Sequence, residues 1–260
     1  MKLAVYVSGA GSLLKKLIDS GKHEIIHVIG DRVCPALTIA VNAGIPIYSH
    51  TLIATLPKPD LSILAGFKSL APTGFEPNKF INIHPALLPA FGGKGMYGHK
   101  VFSKIRQSQV NFTGCTVHFC NERYDDGAII LQKCVKVDPD WSCDDIAEAT
   151  HELELSTLLA AIEGIEYVAK YRKDHATHLD YIREVHKAAT EVIQDDEDQV
   201  AWARVGRRSL LSMMREDTVI DDETKRCAAI AEEMERYDIA AVIRGEMEIG
   251  DDLINEQGDC

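Results

Sequence analysis

Short apolar and β-branched runs recur along the first half of the chain: Leu3–Ser8, Glu24–Gly30, Ile45–Ser49, Leu61–Ala65 and Phe80–Ile83. Runs of this length, bounded by glycine and polar residues, read as strands. Between the first two, leucines at 13, 14 and 17 give Ser12–Asp19 a helical spacing. Pro35–Asn42 begins with proline and is followed by Gly44, the residues that favour the two ends of a helix. Strands alternating with helices predict an α/β fold around a doubly wound, mostly parallel sheet. Cys115–Cys120 and Ile129–Val137 read as two further strands at a mixed edge of that sheet, joined by the polar turn NERYDDGA. Ser142 and Asp145 then form a capping-box pattern. The helix it opens carries Ile146, Ala149, Leu153 and Ala160 on one side and should run to about Val168.

One connection is short. Only His50–Asp60, with two prolines, joins the third run to the fourth, where a parallel crossover needs about 10–12 residues. An abbreviated loop is expected there rather than a helix. Beyond residue 168 the pattern is helical throughout, including a helix from an Asp221/Asp222 cap through Ile230, Met234, Tyr237 and Ala241 to Gly245. Charge changes at the same place. Of the net −12, residues 1–167 hold −2 and residues 168–260 hold −10. The two shifts divide the chain into 1–167 and an acidic helical extension, 168–260. That acidity disfavours nucleic acid as a partner of the extension, since phosphate contacts need clustered cations.

With 46% apolar and 26% charged residues the chain should be globular. No apolar run approaches the roughly 18 residues of a membrane span. The opening MKLAVYVSGAGS breaks too early for a signal peptide and reads as a first strand entering a glycine turn. Seven cysteines, an odd number without a CxxC pair, argue against a disulfide framework or structural zinc. Buried free thiols in a reducing, cytoplasmic setting are the expectation.

Three places carry candidate chemistry. The turn Ser8–Ser12, SGAGS, stands between a strand and a helix, where glycines can aim backbone N–H groups at an anion. Asn82 and His84 lie two apart at the end of a strand, so they share one face. Ligands in such sheets sit beyond the carboxyl ends of the strands. An amide and an imidazole converging there suit an oxyanion that develops on a carbonyl, although an isolated N-x-H is more often a structural pair. Asp125 follows His118 in the loop between two later strands, and a carboxylate beside an imidazole favours the protonated ring. No serine or cysteine has the setting of an activated nucleophile, and no metal-ligand spacing stands out. His175 and His178 read as surface residues.

In this order these residues resemble the 10-formyltetrahydrofolate-dependent formyltransferases. The matching pieces are VSGAGSLLKKLI, LSILAGF, FINIHPALLPAFGGKGMYG, GCTVHFCNERYDDGAIILQ and ATHELEL, collinear over residues 1 to about 167. The resemblance implies a Rossmann-like formyltransferase fold and transfer of a formyl group from 10-formyltetrahydrofolate, without metal, to a primary amine. Purine biosynthesis, with glycinamide ribonucleotide as acceptor, is the leading expectation. An amino sugar nucleotide or other modified nucleotide is the alternative, and an inactive folate- or nucleotide-binding homologue the second. The resemblance assigns catalysis to Asn82, His84 and Asp125, with His84 protonated. It assigns the substrate phosphate to Gly9, Ala10, Gly11 and Ser12, the acceptor to Glu154 and His118, and the folate to Leu64, Ala65, Gly66, Phe67 and Tyr124. The partner is then a small amine on a phosphorylated ribose or nucleotide, with no nucleic acid or membrane, and a homodimer is allowed. Departures gather on the acceptor side: Leu13 where Asn is usual, Phe102 in place of a histidine, and Leu155 after Glu154.

Overall fold

The computed structural model describes residues 1–50, 56–70, 79–171 and 178–194, all within one compact unit, Met1–Ala203. Seven strands form one sheet: β1 (Lys2–Val7), β2 (Glu24–Gly30), β3 (Ile47–Ser49), β4 (Leu61–Leu64), β5 (Phe80–His84), β6 (Phe112–Phe119) and β7 (Ile129–Lys136). Their order is β3-β2-β1-β4-β5-β6-β7. The first five are parallel, while β6 runs antiparallel to β5 and β7 antiparallel to β6. This is the mostly parallel α/β sheet with a mixed edge that the hydrophobic pattern predicts.

Strand order reverses between β1 and β4. The chain builds outward from β1 to β3, then returns to the other side of β1. The carboxyl ends of β1 and β4 therefore form the switch point at which such sheets hold ligands. The switch point brings Ser8–Gly11 beside Ala65–Lys68, and β5 adds His84 at the next strand end.

Alternation along β1 feeds both faces of the sheet. Leu3, Val5 and Val7 enter the main core, while Ala4 and Tyr6 enter a smaller cluster with Ile29, Leu64 and Phe80. The main core lies under α1 (Ser12–Ser20), α2 (Pro35–Asn42), α4 (Cys143–Tyr171) and α5 (His178–Gln194). On the second face the Tyr6 ring packs against Phe67 and Phe80, each at a centroid distance of 5.5 Å. Residues 51–55 of the short connection lie outside the described residues, and Leu56–Asp60 form no helix.

Two elements depart from the sequence reading. Helix α3 (His99–Gln107) is an element the sequence reading did not name; it buries Val101, Phe102 and Ile105 against Ile146 of α4. Helix α4 is 29 residues long and crosses residue 168 without a break. It opens on the expected capping box: Asp145 N–H donates to Ser142 Oγ at 3.2 Å, and Ser142 N–H donates to Asp145 Oδ2 at 2.8 Å. Helix α5 follows, and its Val185, Ala188, Ala189 and Ile193 belong to the main core. The change of charge near 168 therefore falls inside a helix. The helix read between Asp221 and Gly245 lies outside the described residues. Among the described residues no helix is long and apolar enough to cross a membrane.

Candidate active site

The glycine turn is fixed by close packing. Gly11 caps α1 with φ +81°, and a Cβ there would fall 2.7 Å from the Cα of Ala36. Glycine is required on both counts, and the tight contact sets the turn against α2. Ser8 Oγ accepts from Lys68 N–H at 2.9 Å, tying the ends of β1 and β4 together. The turn opens onto a cleft of about 550 Å³, lined by Gly9–Leu13, Ala65–Lys68, Asn82–Pro85, Gly93–Gly98, Phe102, Tyr124, Asp125, His151 and Glu154.

At the cleft floor the structure brings Asn82, His84 and Asp125 together. Asp125 adopts a left-handed backbone, φ +54°, which turns its carboxylate back toward β5. Gly92 leaves it room, since a Cβ on Gly92 would fall 3.1 Å from the Cβ of Asp125. Asp125 Oδ2 accepts from Gly93 N–H at 3.0 Å and stands 3.6 Å from His84 Nδ1. Its Oδ1 accepts from Asn82 Nδ2 at 3.3 Å. The other Asn82 Nδ2 hydrogen reaches His118 Nε2 at 3.0 Å, while His118 Nδ1 lies 2.8 Å from the Phe119 carbonyl. A carbonyl only accepts, so His118 carries its proton on Nδ1 and accepts from Asn82 at Nε2. By the same logic His84 Nε2, 2.9 Å from the Phe91 carbonyl, carries a proton, and its Nδ1 faces Asp125.

The turn behind His84 is anchored from below. Thr116 Oγ1 donates to the Ala86 carbonyl at 2.7 Å and accepts from Leu88 N–H at 3.0 Å and Gln132 Nε2 at 2.9 Å. Gln132 Nε2 also donates to the Leu88 carbonyl at 3.0 Å.

Electrostatics set the protonation of the site. Burial lowers the pKa of His84; the Asp125 charge and the Phe91 carbonyl oppose it and are outweighed. The expectation of a protonated His84 thus meets an opposing effect: desolvation exceeds the pull of one carboxylate and favours the neutral ring. Burial alone would raise Asp125, but the His118 ring, the His84 ring and the Gly93 N–H together bring it below its ordinary value. Glu154 is 8% exposed, and burial pushes it up to about 7, with Lys16 opposing.

The remaining expected residues divide between two cavities. Gly9–Ser12, Ala65, Gly66 and Glu154 line the large cleft. Leu64 and His118 line a recess of about 40 Å³ on the far side of Asn82 and Asp125, with Cys120, Asn121 and Arg123. Phe67 and Tyr124 border both. His118, expected with Glu154 to bind the acceptor, does not line the large cleft and stands behind Asn82, its register partner across β5 and β6. It is 2% exposed and accepts from the Asn82 amide at Nε2. Among the described residues no group of three His, Cys, Asp or Glu side chains is set to hold a metal.

The sequence reading missed Lys68, Lys94, Tyr97 and His151 on the cleft wall. His151 had a signal, since it precedes Glu154 by three on one helix and so shares its face. Its ring meets Phe102 edge-on at 5.5 Å, and burial, then Lys16, lowers its pKa. The lysines and Tyr97 lie in irregular segments, where no periodicity points inward.

Comparison with known proteins agrees with this geometry. The family model described as formyl transferase matches residues 52–162. The chloroplastic phosphoribosylglycinamide formyltransferase of Arabidopsis thaliana is 32% identical over 199 residues, 66% of this chain and 68% of that protein. The chloroplastic enzyme of the same name from Vigna unguiculata is 35% identical over 66% of this chain and 64% of its own length. The chain thus spans about two thirds of the length of these plant relatives. Among solved structures, phosphoribosylglycinamide formyltransferase from Anaplasma phagocytophilum superposes with a TM-score of 0.57 at 28% identity, covering 66% of this chain and 88% of that one. Cleft, floor and likeness converge: the chain belongs to the formyl transferase family.

Proposed function

We propose that the protein transfers a formyl group from 10-formyltetrahydrofolate to a primary amine, that of glycinamide ribonucleotide. The observation that carries this reading is the convergence of Asn82, His84 and Asp125 at the floor of a cleft whose far end is a glycine turn. The amine nitrogen attacks the formyl carbon, a C–N bond forms, and the carbonyl oxygen becomes an oxyanion. Asn82 stabilises it by turning the Nδ2 hydrogen that rests on Asp125 toward it, and His84 does so through Nδ1 once that nitrogen is protonated, an arrangement worth most in a water-poor site. His84 is neutral at rest, and the negative charge developing beside it raises its affinity for a proton. Its Nδ1 faces Asp125 Oδ2 at 3.6 Å, so a proton taken there is held by the carboxylate. Asp125 takes the proton lost by the attacking amine and returns it, through water, to the folate nitrogen as the C–N bond to the folate breaks. Atoms balance without a covalent enzyme intermediate.

Glycine-turn N–H groups at the start of α1 suit the acceptor's phosphate, and Glu154 suits its amine end. Leu64, Phe67 and Tyr124, at the recess behind Asn82, suit the folate. The test is a formyl-transfer assay of the full chain with the folate donor and a panel of amines, glycinamide ribonucleotide first. Formylation of that acceptor at the highest kcat/KM is expected. Turnover with none of the amines overturns the reading, and preference for another amine overturns the acceptor.

A further inference from the structure

Two lysines from separate segments stand over one tyrosine ring at the cleft mouth, and a third lysine lines the same cleft. Lys68 follows β4, whereas Lys94 and Lys100 flank the turn that enters α3. Lys68 Nζ lies 5.0 Å and Lys100 Nζ 5.4 Å from the centroid of the Tyr97 ring. All three lysines are exposed, and Lys68, Lys94 and Tyr97 line the cleft. Among the described residues none of the three has a carboxylate partner. The carboxylate on that side, Asp31, is taken by both Arg32 Nε and Nη2 and by Ser69 Oγ, each at 2.9 Å.

The helix behind this group adds to its field. Lys100 stands in the first turn of α3, which holds no acidic residue and no side-chain cap. A cation there opposes the helix dipole, whose positive end already points out of the N-terminus. A ring face offsets part of the repulsion between two ammonium groups. Like charges gathered at a concave, uncompensated place raise the local concentration of anions.

We propose that Lys68 and Lys100, set over the Tyr97 ring, form with Lys94 of the cleft wall a second anion subsite at the cleft mouth, distinct from the glycine turn. It takes a carboxylate or phosphate carried by a substrate already in the cleft. This rests on the formyl-transfer reading and supplies two sources of that chemistry: the glutamyl carboxylates at the donor's outer end and the acceptor's phosphate. Lys68 directly follows Phe67, which borders both cavities, so either source reaches it.

Equilibrium binding, read without turnover, tests the subsite. Monoglutamyl and pentaglutamyl tetrahydrofolate and, separately, ribose 5-phosphate are titrated into the full chain at low and high salt. The full chain is compared with the double variant K68A/K100A, with K68R/K100R, and with K104A, an exposed lysine on α3 outside the cleft. The expected result is a loss of about three- to tenfold in affinity for one anionic probe in K68A/K100A, from two weak ion pairs. K68R/K100R should retain that affinity, K104A should match the parent, and the difference should vanish at high salt. A loss confined to the pentaglutamyl probe assigns the donor's tail, and a loss confined to ribose 5-phosphate assigns the acceptor's phosphate. Unchanged affinity for all three probes in K68A/K100A overturns the subsite. If no folate binds the parent chain, the formyl-transfer reading fails instead, and ribose 5-phosphate still decides the subsite.

Discussion

Burial and a neighbouring carboxylate pull His84 in opposite directions, and the outcome sets what Asp125 does. With Asp125 present the ring is already neutral at rest; without its charge, protonation at Nδ1 becomes harder still. Asp125→Asn removes both the proton carrier and that stabilisation. Turnover should fall by about 10²–10⁴, the usual worth of general acid–base catalysis. The limb of the pH–rate profile that His84 governs should move to lower pH, because the His84 pKa drops further. His84→Ala should lose turnover on the same scale. Circular dichroism and the unfolding midpoint should stay near the parent's, and parent-like formyl transfer in both variants would contradict the assignment.

Glu154 is the other residue whose environment predicts a measurable effect. It is an acid whose folded pKa, about 7, is raised above the ordinary 4.5. Its contribution to stability is thus fully present below pH 4.5 and is lost as pH rises through 7. At about 1.4 kcal/mol per pH unit the loss is on the order of 3 kcal/mol. Glu154→Gln should therefore be more stable than the parent at pH 8 by roughly 2–3 kcal/mol in urea titrations, and closely matched at pH 4.5. The same substitution removes the charge that receives a cationic amine, so KM for the acceptor should rise. Equal stabilisation at both pH values would show that ionisation of Glu154 is not its origin.

At the scale of elements, the turn between β5 and α3 depends on hydrogen bonds that no sequence pattern reveals. Thr116 Oγ1 holds Ala86, Leu88 and Gln132 at once and is fully buried. Thr116→Val keeps the shape but leaves a buried carbonyl and a buried N–H without their partner, at about 1–3 kcal/mol. Because His84 begins this turn, kcat should fall with the denaturant midpoint, although Thr116 touches no substrate. A variant with parent-like midpoint and kcat would show that the anchor is dispensable.

These elements also show what was legible beforehand. Asn82 and His84 could be placed because strand alternation and the strand-end rule are local. Asp125 could be named but not aimed, since its approach depends on a left-handed φ and on the space left by Gly92, 33 residues away in sequence. The V-F-x-x-I spacing of α3 was present at Val101, Phe102 and Ile105. The glycines and prolines before it masked that signal, because they mark loop in any window that includes them. His118 could be named but its side could not: it lies behind Asn82 through antiparallel register, a long-range pairing that composition does not carry.

For the molecule as a whole, charge marks a division that packing does not follow. Acidic composition begins near residue 168, yet α4 continues to Tyr171 and α5 returns along it. Contact between the two helices is close. A Cβ on Gly164 would fall 2.6 Å from the backbone nitrogen of Ala189, so the backbones meet where neither residue has a bulky side chain. His186 Nδ1 lies 2.8 Å from the Ile130 carbonyl and pins α5 to β7. Val185, Ala188, Ala189 and Ile193 are each 7% exposed or less. Burying a Val or Ile side chain contributes about 1.5–3 kcal/mol, and losing α5 also uncovers its neighbours on α4 and β7. Against a total stability of about 5–15 kcal/mol, that loss is decisive. A chain ended after Tyr171 should therefore show no cooperative urea transition and should bind a dye for exposed apolar surface. A gentler variant, Gly164→Leu, should separate α4 from α5 and lower the urea midpoint without touching the cleft, leaving kcat/KM near the parent's at low temperature. If the shortened chain unfolded with the parent's midpoint and slope, α5 would be an appendage after all, and the boundary suggested by charge would be a boundary of folding as well.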